Sequence, residues 1–258
     1  MRNVLTITRR ELMSYFVSPI AYVILMVFMF IVGWFFVGLV LSYSEFSMRA
    51  SGNPMWAEQV NLHDIVIRNF YSTFGVIMIF MAPMLTMRTM AEERRLGTAE
   101  MLLTSPITTS QLVIGKYLGA LCFGGFMLLL TFQYPLYLIF QGASLEAGPM
   151  AAVYLGSLLM LGAFLAVGVF SSALTSNQIV AAAVAFVICL FFWVVGFLGD
   201  IGGGSGEYSE LLKGLSISEH FQDFLKGVVD TGAVVYYLTF IAFGLFLSAR
   251  VIDSGRWR

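Results

Sequence analysis

Charge is what this chain has least of. Only 11% of its 258 residues are Asp, Glu, Lys or Arg, against 59% hydrophobic, whereas a soluble domain carries about a quarter charged residues. That balance excludes an ordinary soluble fold, and a net charge of −1 supplies no basic field for nucleic acid. Cysteine is scarce too. Cys122 and Cys189 both fall in apolar runs, which gives neither a disulfide framework nor metal-ligand spacing. His63 and His220 are the only histidines, each without a Cys or a second His at ligand distance in sequence, so a polar interfacial role is expected of both.

Chemistry-bearing motifs are missing as well. Gly115-Lys116 is followed by Tyr117, and Ser110 stands where a phosphate loop needs its first glycine. The run Gly202-Gly203-Gly204-Ser205-Gly206 has no Gly-Lys-Ser/Thr after it. Gly-x-Ser-x-Gly, His-Glu-x-x-His and paired intramembrane carboxylates do not occur, and proton or ion relays leave ionisable groups inside the membrane. The chain is therefore not expected to be an enzyme, to hold a cofactor or metal, or to be a proton-coupled carrier. Any work it performs draws energy from another chain.

What is present is long apolar runs. About 20 such residues suffice to cross a bilayer as a helix, and six spans are expected at 20–41, 69–87, 117–140, 150–170, 179–199 and 232–249. Residues 147–199 carry no charge at all, too many for one helix, and the polar stretch 171–178 splits them into a hairpin. The runs are long and continuous rather than short and alternating, so helices are expected, not a barrel. The fold class is an all-α integral membrane protein with a single transmembrane domain, 1–258. The first run is too long for a signal h-region and lacks a small-residue cleavage site after it.

Lys and Arg set the orientation. One face receives Arg2, Arg9, Arg10, Arg88, Arg94, Arg95, Lys116, Arg250, Arg256 and Arg258; the other receives Arg49, Arg68, Lys213 and Lys226. The basic excess faces the cytoplasm, which puts both termini there. Residues 1–18 read as an interfacial helix, with Val4, Leu5, Leu12, Met13 and Phe16 on an apolar face and Arg2, Arg9 and Arg10 toward headgroups. Outside, Asn53-Pro54 signals a turn and Trp56 a headgroup-level anchor. Phe221, Phe224, Leu225 and Val228 recur at helical spacing, opposite Glu219, Gln222, Asp223 and Lys226, as a short external amphipathic helix before the last span.

The most informative stretch is 92–106, a charged connector between spans two and three. Arg88 and Glu92 are spaced i, i+4. Gly97 interrupts, Thr98 can cap a new short helix, and Glu100 in its first turn complements the helix dipole. Met101, Leu102 and Leu103 make an apolar tip, and Pro106 ends it. Thr108, Thr109 or Ser110 can cap the return into the third span. A structured part held below the membrane by two spans suits docking of a soluble partner.

Glu92-Glu93-Arg94-Arg95-x-Gly97-Thr98-x-Glu100-x-Leu102-Leu103-Thr104-Ser105-Pro106 resembles the first coupling-helix region of permease subunits of ABC transporters in the second exporter superfamily, the type V fold. Met81-Ala82-Pro83-Met84-Leu85-Thr86-Met87-Arg88 and Arg9-Arg10-Glu11-Leu12-x-x-Tyr15-Phe16-x-Ser18-Pro19 fit the same family. Ser218-Glu219-His220-Phe221-x-x-Phe224-x-x-Gly227-Val228-x-Asp230 with Tyr236-Tyr237 is similar to the gliding-motility-type (GldF-like) branch, to which the nitrous-oxide-reductase maturation permease is related.

The resemblance implies a permease in a bacterial inner membrane, a homo- or heterodimer with a second permease copy or permease-like partner, and a separate ABC ATPase subunit. It assigns ATPase docking to Glu92, Glu93, Arg94, Gly97, Thr98, Glu100, Leu102, Leu103 and Pro106, and a second, smaller contact to 171–178. The expected function is a membrane subunit of an ATP-driven transporter, an exporter that couples ATP hydrolysis on the partner to helix movement. The alternative is a mechanical or regulatory scaffold for an envelope or gliding machine. Gly115-x-x-x-Gly119, Gly162-x-x-x-Ala166 and Ala181-x-x-x-Ala185 offer close-packing faces, but identify no specific dimer face.

Topology is testable by single cysteines at Ser205 and Ser254 in intact cells. An impermeant thiol reagent should label position 205 and spare 254; the reverse pattern would overturn the orientation.

Overall fold

The computed structural model describes residues 2–50, 62–97, 107–143, 145–201 and 207–255. All regular structure among them is helical, and six helices are long and apolar enough to cross a membrane. In chain order the elements are α1 (Arg2–Val17), α2 (Pro19–Ala50), a π-helical turn (His63–Arg68), α3 (Asn69–Thr86), α4 (Ala91–Arg95), α5 (Thr109–Leu130), α6 (Gln133–Phe140), α7 (Ala147–Leu174), α8 (Gln178–Ile201), α9 (Glu207–Leu215), α10 (Ile217–Leu225) and α11 (Thr231–Gly255).

Burial sorts the spans into two rings. The spans built on α3, α5–α6 and α7 are 61–72% buried over their most apolar stretch, whereas α2, α8 and α11 are 17–33% buried. The first three form the centre and the others line it. α2 shows how one helix serves both environments. Ala21, Ile24, Phe28, Val32 and Phe36 recur at helical spacing and are buried, while Met26, Phe30, Trp34 and Leu41 are exposed. The inner stripe meets α3 through edge-on aromatic pairs, Phe28 with Phe74 and Phe36 with Phe70, a geometry favoured by the ring quadrupoles. At ~1.5 Å per residue α2 is about 48 Å long, so it projects beyond a ~30 Å hydrocarbon core.

Small residues set the closest approaches. Gly244 of α11 lies against Ala166 of α7, and Ile241 lies over Gly162. The Gly162-x-x-x-Ala166 stripe therefore seats α11 within the chain. α10 settles on α7 by placing Phe224 over Gly156, where an added Cβ would meet the ring at 2.5 Å. Ile217, Phe221, Phe224 and Leu225 are buried there, but Val228 is 56% exposed. The helix stops at Leu225, and Gly227 takes φ +81° against Pro149, so the apolar pattern does not continue to Val228. Two short helices, α9 and α10, precede the last span where the residue pattern suggested one.

The third span starts at Thr109, two turns before Tyr117, with Thr108 as N-cap accepting from the Gln111 N–H at 3.3 Å. It also breaks at Thr131-Phe132. Pro135 has no N–H for the Thr131 carbonyl, and the Tyr134 N–H takes it instead at 3.1 Å, a proline-type kink. In the hairpin turn, Asn177 caps α8 by accepting from Ile179 N–H at 2.9 Å. The two histidines settle at polar positions outside the spans. His220 Nδ1 lies 2.8 Å from the Ser216 carbonyl with its ring stacked on Tyr236, and His63 Nε2 lies 3.4 Å from the Leu225 carbonyl.

The tightest seam joins α3 to α7. A Cβ on Gly168 would overlap the side chain of Thr86, which is fully buried and hydrogen-bonded to Ala82 O at 2.8 Å. Overpacking of this kind costs about 1–3 kcal/mol. Gly168→Ala should lower the thermal midpoint of the detergent-purified protein, and Thr86→Ala in the same chain should recover part of the loss. An unchanged midpoint for Gly168→Ala would show that the seam is loose.

Candidate functional site

The connector leaves the bundle through a braced root. α3 ends at Thr86, the chain turns through 87–90, and the single-turn α4 follows. The abrupt end matters because backbone groups freed at a helix terminus need new partners. Ser172, fully buried on α7, supplies them. Its hydroxyl accepts from the N–H groups of Met90 and Ala91, each at 3.0 Å, and donates to the Met87 carbonyl at 3.1 Å. One serine thus holds three backbone groups of the turn.

Lys116 is the second brace. It is 3% exposed, on α5, and its ammonium meets Glu93 Oε1 at 2.7 Å and Glu11 Oε2 at 3.8 Å, and donates to the Thr89 carbonyl. A buried ammonium is tolerated only when carboxylates and carbonyls surround it. These partners come from three places: α4, α1 and the turn. Around them Arg88 pairs with Glu92 at 3.7 Å and donates to Ser18 Oγ at 3.1 Å, beside Pro19 at the α1–α2 junction. Tyr15 donates to the Leu85 carbonyl at 2.8 Å.

α1 reaches Lys116 because the glycines beside it clear the way. An added Cβ on Gly115 would meet Ile7 at 2.8 Å, and one on Gly119 would meet Glu11 at 2.6 Å. Thr8 donates to the Gly115 carbonyl at 3.1 Å. The Gly115-x-x-x-Gly119 stripe is thus the seat of α1 in the same chain. The half-buried stripe of α1 runs Val4, Ile7, Thr8, Glu11, Leu12, Tyr15, while Leu5 and Met13 face out. The apolar face read from sequence therefore splits: Val4 and Leu12 turn to the protein, Leu5 and Met13 away, and Phe16, though partly exposed, packs edge-on against Phe123 and Phe126 of α5. Burial raises the Glu11 carboxyl above its ordinary value; Lys116 opposes that and Glu93 reinforces it.

Of the docking residues expected from sequence, Glu92, Glu93, Arg94 and Gly97 lie at this root. Glu92 sits beside Arg88, Glu93 turns inward to Lys116, and Arg94 is half-buried. Gly97 is exposed with φ +71°, just past the end of α4. Thr98, Glu100, Leu102, Leu103 and Pro106 lie outside the described residues. Among the described residues no group of three His, Cys, Asp or Glu side chains forms a metal site. Sequence reasoning missed Glu11 and Ser172, and read Lys116 only as a boundary charge. Its flanking glycines were the available signal, since a second helix can approach a lysine closely only where its neighbours lack side chains.

Six apolar helices with a connector anchored in their midst define a multi-pass membrane protein. Residues 64–253 match the family described as ABC-2 family transporter protein, and the chain belongs to that family. It is a permease subunit of an ABC transporter, and the family associates with an ABC ATPase subunit. No curated protein matches the chain.

Removing Lys116 would take the buried ammonium away from the half-buried Glu93 and Glu11 carboxylates. Breaking a buried pair from one side costs about 3–5 kcal/mol. Lys116→Met should destabilise the protein by that order in thermal unfolding, and Glu93→Gln in the Lys116→Met background should restore a large part. Additive losses would mean that the two groups do not interact.

Proposed function

We propose that this permease is the membrane half of an ATP-driven exporter in a bacterial inner membrane, with both termini in the cytoplasm. In this reading, ATP is bound and hydrolysed by a separate subunit, and the segment 92–106 docks on it. The carboxylates Glu92 and Glu100 with Arg94 orient the contact, Leu102 and Leu103 fill an apolar pocket on the ATPase, and Thr98 and Pro106 bound the docking turn. Glu93 belongs to the same segment but acts from behind, through Lys116.

The observation that carries the proposal is the root. A solvated loop needs no anchoring, yet this one is held by Ser172 of α7, by Lys116 of α5 and, through Lys116, by α1. Force applied beyond Gly97 would reach two of the three central helices without passing through a compliant joint. α1 would move with them and lie on the cytoplasmic surface as an interfacial connecting helix, presenting Arg9 and Arg10 to headgroups. A dimer of two permeases, alike or different, would complete the transporter and cover part of the exposed flank of α2, α8 and α11. The gliding-motility-type branch is the assignment favoured by the stretch 218–230 with Tyr236 and Tyr237.

Burying a leucine at an interface is worth about 1.5–3 kcal/mol, and ~1.4 kcal/mol is a factor of ten. Leu102→Ala with Leu103→Ala should therefore weaken ATPase binding more than tenfold in co-purification, with the spans still inserted. Proline locks φ near −65° and cannot adopt the +71° of Gly97, so Gly97→Pro should lower coupled ATPase activity more than it lowers binding. Wild-type stoichiometry and affinity in the double alanine variant would sink the docking assignment.

A further inference from the structure

Between α1 and the connector root lies a cavity of about 640 Å³. Six charged side chains line it: Arg10, Arg88, Lys116, Glu11, Glu92 and Glu93. The formal charges sum to zero, but the pairing is not complete. Lys116 takes Glu93 at 2.7 Å and Arg88 takes Glu92 at 3.7 Å. Glu11 is left over. Its side chain is 17% exposed, and among the described residues its one charged partner within 4.0 Å is Lys116, at 3.8 Å, beyond hydrogen-bond reach. Arg10, the remaining cation, is exposed at the cavity rim. Among the described residues no protein donor reaches this half-buried carboxylate, which faces the open cavity.

Beside the residues that line the cavity, α1 also exposes apolar side chains. Leu5, Met13 and Val17 are 68%, 51% and 81% exposed on the same helix, which suits immersion at the headgroup–acyl boundary. A group that satisfies both leftovers carries a donor-rich cation for Glu11 and an anion for Arg10, with no net charge. We propose that this cavity binds the headgroup of a phosphoethanolamine lipid, its primary ammonium hydrogen-bonded to Glu11 and its phosphate at Arg10. A choline headgroup has no N–H to donate, and an anionic headgroup would bring negative charge toward a carboxylate with no ammonium to meet it. The inference rests on α1 lying at the membrane surface, as proposed above, and not on ATPase docking.

The test uses the full-length chain purified in detergent, titrated with short-chain phosphatidylethanolamine, phosphatidylcholine and phosphatidylglycerol, with binding read from the thermal midpoint. A charge-assisted hydrogen bond corresponds to about tenfold in affinity or more, so the wild type should prefer the ethanolamine lipid by at least about that factor. Glu11→Gln should abolish the preference. Without lipid it should be as stable as the wild type or more so at neutral pH, because the raised Glu11 carboxyl makes its charge unfavourable there. Should that variant fail to fold, the wild type answers by titration. Acidification from neutral pH protonates a carboxyl whose value lies above the ordinary range, and the preference should shrink first as Glu11 is neutralised. The groups facing Glu11 are Lys116 from α5, Glu92 and Glu93 from α4, Arg88 from the turn, and Arg10 and Tyr15 from α1.

Equal response to ethanolamine and choline lipids would overturn the proposal, as would a preference that survives in Glu11→Gln or is insensitive to acid. Soluble phosphoethanolamine binding as tightly as the lipid would overturn the lipid source. An ethanolamine preference retained in the Leu102→Ala, Leu103→Ala variant would separate this site from the docking reading.

Discussion

A lysine ammonium buried among helices needs partners to replace water, and at Lys116 they come from three separate parts of the chain. Glu93 arrives from the connector, Glu11 from the first helix, and the Thr89 carbonyl from the turn between. Desolvation ties the cation to its close partner, because losing Glu93, at 2.7 Å, weakens the case for burying the ammonium. The two glycines beside it follow from the same demand, since α1 must come within reach of α5. So does the end of α3 at Thr86, where the turn presents its carbonyl to the ammonium and its amides to Ser172.

The rest of the bundle can be read outward from there. α3, α5 and α7 are the helices that meet the root, and they are also the three most buried spans. α2, α8 and α11 pack on them by one stripe each and leave the other side apolar and open. In a soluble protein such a surface would be an aggregation hazard; in lipid it is ordinary. The permease assignment and the packing agree, with the three most buried spans inside and the spans with open apolar faces outside.

The membrane class and the six helices were legible in sequence because hydropathy and charge placement are local signals. The i, i+4 pairing of Arg88 with Glu92 and the interruption at Gly97 were legible for the same reason. What escaped was non-local. Glu11 and Lys116 lie far apart in the chain, and no spacing rule joins them. Ser172 looked like part of a polar hairpin turn, yet it is helical and buried, and the turn proper is confined to 175–177. Lys116 was read as a boundary marker because positive-inside reasoning counts charges without asking which way they point. The α5–α6 break depended on Pro135, whose effect falls four residues upstream, and the stop of α10 on Gly227, whose positive φ lets Val228 N–H reach the Asp223 carbonyl at 3.0 Å.

The seat of α1 has a consequence for biogenesis. Thr8 and Gly115, which meet across that seat, are separated by 107 positions. During synthesis the first helix is complete long before its partner leaves the ribosome, and two spans must be inserted in the interval. An amphipathic segment can wait on the bilayer surface over that period, where a purely apolar one would enter the hydrocarbon and a purely polar one would drift away. The mixed character of α1, basic, apolar and carrying one acid, therefore suits two successive environments.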